Sequence, residues 1–306
     1  MISAKFRAFD GGVAMRGLVL AAVVFGAVSG AQAADMPDFL RGSISAPAPT
    51  RNWDGWYAGG QVGYTSADMD FSHAPRTMTN FMLRNGVLQE PVSQWVLLSK
   101  NHAQATGFGG FVGRNYQSDD LVFGIEANYN YMTNLSSSSS DSMNLLIVNP
   151  AGENPPAGHT HTYDTTLVGK ASLQVKDVVT FRGRTGWATG NFLPYMFGGL
   201  AVGRVDVART ATVSYTKYDD YDVSVMILGV PTIVHQTDNL GSFSYPTANE
   251  RRTNSFVIGW TAGLGAEYML WDNVFMRAEW EYVRFVSVKD ISFSTNNMRA
   301  GIGYKF

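Results

Sequence analysis

Nine residues constrain this chain more than any other segment. Met298, Ala300, Ile302, Tyr304 and Phe306 alternate with Arg299, Gly301, Gly303 and Lys305. One face is apolar and the other is small or charged, which is the period-two pattern of a strand that meets two different media. An amphipathic strand of this kind leaves an open edge unless another strand closes it. The pattern therefore predicts a sheet closed on itself.

The other end of the sequence fits an exported chain. Lys5, Arg7 and Arg16 precede an apolar run from Leu18 to Val28, and Ala31-Gln32-Ala33 has the small-x-small form of a cleavage site. A signal peptide over 1–33, cleaved between Ala33 and Ala34, is expected. The apolar run is shorter than the ~20 residues a spanning helix needs. Losing Lys5, Arg7, Arg16 and Asp10 with that segment moves the formal charge from −2 to −4. A mildly acidic chain without a basic stripe argues against a nucleic-acid partner. With no cysteine, disulfides cannot stabilise it outside the cytoplasm. Residues 34–53 hold Pro37, Pro47 and Pro49 among small residues and read as a flexible periplasmic leader. Residues 54–306 read as one barrel domain.

Alternation recurs along that domain. In Gly55–Phe71, Trp56, Val62 and Tyr64 share one face, and Tyr57, Gly59, Gln61 and Gly63 share the other. The segment near Ala103–Gln117 is a strand of ambiguous facing. Phe123, Ile125, Tyr129 and Tyr131 are expected outward, with Glu126, Asn128 and Asn130 inward. Arg182 and Arg184 fall on a polar face. In a fifth strand, about Leu193–Ala208, Tyr195 and Phe197 are assigned outward, and Arg204 and Asp206 inward. Phe256–Tyr268 and Val274–Tyr282 give the clearest alternation, with Glu267, Arg277, Glu279 and Glu281 inside. Arg284 interrupts the pattern, either beyond the apolar band or after a bulge. Connections alternate between tight ones (Ser118–Asp120, Thr189–Phe192, Trp271–Asn273) and long ones (Ser72–His102, Ser136–Thr166, Thr210–Glu250), with a short fourth near Lys289–Thr295. Mean hydropathy of −0.07 excludes a helical membrane protein. Apolar-out, polar-in strands joined alternately by short and long connections are expected of an all-β, transmembrane, eight-stranded antiparallel up-and-down β-barrel with long extracellular loops. Apolar islands at Met143–Val148 and Val223–Val234 are expected to form hairpins that extend the barrel above the membrane, rather than docking patches.

The assigned interior holds Glu126, Arg182, Arg184, Arg204, Glu267, Arg277, Glu279, Glu281 and Arg299. These charges admit two readings: a paired network that plugs the lumen, or a polar path for ions and small solutes. Eight strands leave an interior that side chains about fill, which favours the plug.

Several segments together resemble a known family: Gly55-Trp56-Tyr57-Ala58-Gly59-Gly60, Phe123-Gly124-Ile125-Glu126-Ala127, Arg182-Gly183-Arg184-Thr185-Gly186, Leu193-Pro194-Tyr195 with Gly198–Ala201, and Gly301–Phe306. From about Trp53 onward the chain is similar to the OmpA-like eight-stranded outer-membrane barrels, within them to the small alphaproteobacterial major outer-membrane proteins grouped as a porin family. The resemblance implies an outer-membrane location in a Gram-negative cell envelope. It implies a role in envelope integrity and surface display, with outer-membrane lipid, lipopolysaccharide and host or cell-surface ligands of the loops as partners. It also implies that Ile302, Tyr304 and Phe306 form the signal read by the barrel-assembly machinery. A narrow porin is the alternative. Haemin capture, reported for some relatives, is a second alternative, with Tyr215, Tyr218, Tyr221 and His235 as loop candidates.

Enzyme chemistry is not expected. The sequence holds neither a G-x-S-x-G elbow nor a P-loop, and no nucleophile–base pair stands out. His159-x-His161 lies in a Pro/Gly-rich stretch without a further ligand cluster and reads as a solvated pair rather than a metal site. No cofactor is expected.

Overall fold

The computed structural model describes residues 51–306, so the signal peptide, its cleavage residues Ala31, Ala33 and Ala34, and leader residues 34–50 lie outside the described part. The strands are β1 (Gly55–Asp70), β2 (Lys100–Ser118), β3 (Leu121–Val148), β4 (His159–Trp187), β5 (Phe192–Ile227), β6 (Val230–Ser244), β7 (Ala248–Met269), β8 (Val274–Phe285) and β9 (Ser292–Lys305). Two short helices, α1 (Arg76–Met82) and α2 (Gln89–Ser93), lie between β1 and β2.

Eight of these strands close a ring in the order β1-β2-β3-β4-β5-β7-β8-β9, each antiparallel to its neighbours. β9 returns to β1 from Tyr57 opposite Lys305 to Asp70 opposite Ser292. Closure satisfies backbone donors and acceptors that lipid could not. The ninth strand, β6, stands outside the ring and pairs only with the far half of β5.

The outward face is an apolar band edged by aromatics, among them Trp56, Tyr64, Tyr131, Trp187, Trp260, Tyr268 and Tyr304. Such girdles suit the two membrane interfaces. The facing of β2 resolves with Phe108, Val112 and Tyr116 outward and Phe111 and Asn115 inward. Arg284 continues the outward set opposite Trp260, in an unbroken β7–β8 register.

The facing assigned to the fifth strand is reversed. Tyr195 and Phe197 are each 5% exposed and point inward. Arg204 and Asp206 lie on the outer side, where Arg204 pairs with Asp177, and Asp206 with Lys176 at 2.9 Å. Register is the cause. Phe197 lies directly opposite Arg184, and Gly199 opposite Arg182, so they share the inner side with those arginines. Each inward aromatic also needs space across the ladder, and glycine provides it. Tyr57 lies opposite Gly113, Phe111 opposite Gly59, Tyr195 opposite Gly265, Phe197 opposite Gly263, and Phe275 opposite Gly303. A Cβ on Gly265 would come within 2.4 Å of the Tyr195 ring.

Two of the long connections are mainly strand. β3 and β4 continue as a hairpin up to Val148 and His159, and β5 continues to Ile227. Bulges near 132–134 in β3 and at Lys176 in β4 shift the phase of alternation. Above them the inward residues of β4 and β5 turn apolar: Leu167, Ala171, Leu173, Val175, Val207 and Val213 are buried. The β1–β2 connection closes over this cup. Leu83, Leu88, Val92, Leu97 and Leu98 join its core, and Gly169 on β4 leaves the room that Leu97 and Pro75 approach.

Arg209 of β5 ties the cap down. Its guanidinium donates to the carbonyls of Ala74 (2.8 Å) and Lys289 (3.0 Å), to Asp290 (3.0 Å), and to Glu250 at 2.7 and 2.9 Å. Outside the membrane-spanning band, a hydrogen bond from Lys289, opposed by partial burial and reinforced by Arg209, holds the Glu250 carboxyl at about 2.

Two outcomes are expected. Gly265→Val, which forces the Tyr195 ring aside, should lower folding stability by ~1–3 kcal/mol in urea titrations monitored by heat-modifiable mobility, whereas Gly183→Ala, with open space around the new Cβ, should not. Because the Glu250 pKa is depressed, its contribution is fully present above the unfolded value and is lost as pH falls toward about 2. Protection factors of the 71–98 amides, taken relative to the intrinsic exchange rate at each pH, should therefore fall as the medium is acidified through that window, and Glu250→Gln should remove this component of the pH dependence.

Candidate functional site

The interior of the ring is the one place where most of the expected charged residues meet. Glu126 comes from β3, Arg182 and Arg184 from β4, Glu267 from β7, Arg277, Glu279 and Glu281 from β8, and Arg299 from β9. Their side chains are 0–3% exposed. Arg204 is the exception already placed on the outer surface.

Four arginines face four glutamates, and none of the eight stands alone. Arg182 reaches Glu126 and Glu279, each at 2.5 Å, and Glu281 at 3.4 Å. Arg184 forms a two-pronged pair with Glu267, both contacts 2.8 Å. Arg277 sits between Glu126 at 2.7 Å and Glu267 at 2.9 Å. Arg299 bridges Glu279 at 2.8 Å and Glu281 at 3.0 Å. The formal sum is zero, so the set carries no net field to select an ion of either sign.

Neutral groups complete the lattice. The Tyr57 hydroxyl donates to Glu126 at 2.8 Å and that of Tyr195 to Glu279 at 2.6 Å. Thr261 and Asn297 donate to Glu281. Aromatic rings cover guanidinium faces: Phe197 and Tyr195, both expected outward, lie 4.0 Å from Arg182 and 3.9 Å from Arg184, and Phe111, on the strand of ambiguous facing, lies 3.8 Å from Arg277. Arginine over an aromatic face keeps its edge free for carboxylates. With β1, β2 and β5 supplying Tyr57, Phe111 and Tyr195, every strand of the ring contributes. These three aromatics were not assigned to the site from sequence; the inward glycine opposite each one marks them only once the strand register is known.

The lattice is closed from both ends. On the periplasmic side Trp53, Tyr57, Phe111, Leu193, Met269 and Phe275 form an apolar layer. Trp53 was assigned to the flexible leader; it is instead buried against Phe275, its backbone N–H donating to Gln117, while Arg51 pairs with Asp272 at 2.5 Å. On the outer side lies the apolar core capped by α1 and α2. Chemically, the arrangement can cross-link the strands of the ring.

The remaining candidates lie elsewhere. Ile302, Tyr304 and Phe306 line the outer face at the end of β9, where the Phe306 backbone N–H donates to the Trp56 carbonyl at 2.8 Å. His161, expected as half of a solvated pair, is buried beside Glu153 at 2.5 Å, and His159 meets Asp219 at 2.9 Å. Burial alone would push Glu153 up, but hydrogen bonds from Tyr163, Lys217 and His161 outweigh it and hold the carboxyl at about 2. Among the described residues no group of three or more His, Asp or Glu is arranged to hold a metal ion. Tyr215 packs among Tyr163, Phe243 and Tyr245, Tyr218 lies opposite Asn239, Tyr221 donates to Asp238, and His235 pairs with Asp222.

Glu279→Ala would leave Arg182 and Arg299 short of a partner in the interior. It should cost on the order of 3–5 kcal/mol in reversible urea unfolding. Arg204→Ala, at the outer surface, should leave the same unfolding curve essentially unchanged.

Comparison with known proteins gives a consistent picture. The family described as "Outer membrane protein beta-barrel domain" matches residues 19–306. The chain is 24% identical over 200 residues to the 25 kDa outer-membrane immunogenic protein of Brucella ovis, covering 65% of this chain and 62% of that protein's length. It is 26% identical to the 22 kDa outer membrane protein of Rhizobium leguminosarum bv. viciae, with 84% and 80% covered. With the 31 kDa outer-membrane immunogenic protein of Brucella melitensis it shares 24% identity over 95% of this chain and 100% of the relative.

Proposed function

This chain belongs to the outer membrane protein β-barrel domain family and resides in the outer membrane, and from that premise we propose that it is a closed structural barrel, not a pore and not an enzyme. Its role is to contribute to envelope integrity while displaying a large folded surface outside the cell. The observation that carries this reading is the neutral lattice of Arg182, Arg184, Arg277 and Arg299 with Glu126, Glu267, Glu279 and Glu281. A conducting path along the axis would have to part these pairs. Removing one partner of a buried pair costs ~3–5 kcal/mol, so opening by separating several at once is a rare event. The aromatic layer beneath and the capped apolar core above would have to move as well.

Partners follow from the two outer surfaces. The apolar band suits outer-membrane lipid and lipopolysaccharide, and the outward Ile302, Tyr304 and Phe306 are the segment we assign to recognition by the barrel-assembly machinery.

Single-channel recording of the refolded protein in a planar bilayer tests the central claim. Silence is expected from wild type after insertion has been verified by protease protection. Regular steps in wild type that change with Arg182→Ala or Glu279→Gln would make it a narrow porin and overturn the structural reading.

A further inference from the structure

The arm formed by β5 and β6 ends in a segment that the closed barrel does not use. β4 accompanies β5 only as far as His159 opposite Tyr221. Beyond that level, Asp222–Ile227 and Val230–His235 form a two-stranded ribbon without a third strand. The chain from Val207 to Ile227 spans about 65 Å along the strand, so the tip lies far from the apolar band.

Residues 223–234 carry no charged side chain. Strand pairing places Val223, Val225, Ile227, Val230 and Val234 on one face of the ribbon and Met226, Pro231 and Ile233 on the other. Leu228 in the turn is 100% exposed, Ile233 73% and Met226 71%. An ordinary docking hairpin has one apolar face; a protein covering it would leave the other in water. Hydrocarbon surrounds both. The six residue pairs from Asp222–His235 to Ile227–Val230 use the inner backbone groups, while the outer edges remain unpaired. Those edges limit entry to the headgroup and upper acyl region.

The base of the ribbon indicates which lipid. Asp219, Asp220, Asp222 and Asp238 surround it, and Lys217 below them is engaged by Glu153 at 2.9 Å. His235 lies against Asp222 at 3.0 Å. This acidic collar would sit at headgroup level when the tip is inserted. It is repelled by an anionic leaflet and matched by one whose outermost charge is a quaternary ammonium. We propose that the β5–β6 tip inserts shallowly into a second bilayer brought against the cell surface, with a zwitterionic choline-lipid leaflet as its target.

The chain has no cysteine, so Leu228→Cys accepts a single environment-sensitive fluorophore. The experiment uses the full-length protein held in nanodiscs and adds vesicles of phosphatidylcholine or of phosphatidylglycerol. Phosphatidylcholine vesicles should shift the probe to shorter wavelength and carry the unlabelled wild-type protein upward in flotation. Met226→Asp/Ile233→Asp should float about tenfold less well. Both changes lie outside the closed ring, and heat-modifiable mobility verifies that the barrel remains folded. Phosphatidylglycerol vesicles should bind more weakly than phosphatidylcholine vesicles. The proposal is overturned if neither vesicle binds, if the Asp variant floats like wild type, or if phosphatidylglycerol is preferred. It is equally overturned if the probe is already shifted before vesicles are added, which would mean that the tip is covered by its own bilayer or by a second copy. None of these outcomes depends on whether the lumen conducts.

Discussion

The buried pairing of four arginines with four glutamates is the constraint around which the barrel is arranged. A charge placed in the interior without a partner is costly, so every strand that carries one must align it with a counter-charge. Glu126 alone meets Arg182, Arg184 and Arg277, and Glu279 meets Arg182, Arg277 and Arg299. A one-residue slip of β4 or β8 would turn those groups toward lipid. The network thus ties strand register across the ring. The aromatics follow from it: Phe197, Tyr195 and Phe111 occupy guanidinium faces, and Gly263, Gly265 and Gly59 stand opposite them where a Cβ would collide.

The same ring of strands meets two environments in succession. Within the apolar band its outside is hydrophobic and its inside polar. Above the bulges of β3 and β4 the arrangement is inverted, with Leu167, Leu173, Val175 and Val213 inside and Thr166, Ser172 and Thr212 on the other face. The upper part is built as a water-soluble sheet protein is, around an apolar core. Its mouth is covered by α1, α2 and the residues after them, and Arg209 joins that cover to β7 and to the β8–β9 turn. Rigidity at this level leaves the β5–β6 arm as the element that projects beyond the folded cap.

Much of this was legible from residue order alone. The alternation in Gly55–Phe71, Phe123–Tyr131, Phe256–Tyr268, Val274–Tyr282 and Met298–Phe306 determined the faces of these strands, the eight-strand count of the ring and its seven connections in outline, because lipid on one side and a crowded interior on the other impose opposite chemistry every second residue. It also determined which charges lie inside, apart from Arg204 and Asp206. Three things only the tertiary structure decided. The facing of β5 depended on its register with Arg182 and Arg184, since Tyr195 and Phe197 suit a membrane interface and a guanidinium face equally well. The upward extension of β3 and β4 was hidden because a bulge in each shifts the alternation by one residue and the apolar side then changes from outer to inner; β5 keeps its phase, and its inward positions turn apolar there as well. Which glutamate pairs with which arginine was set by the curvature that brings β3, β4, β7, β8 and β9 around a common axis, and no local pattern in a single strand carries that distance.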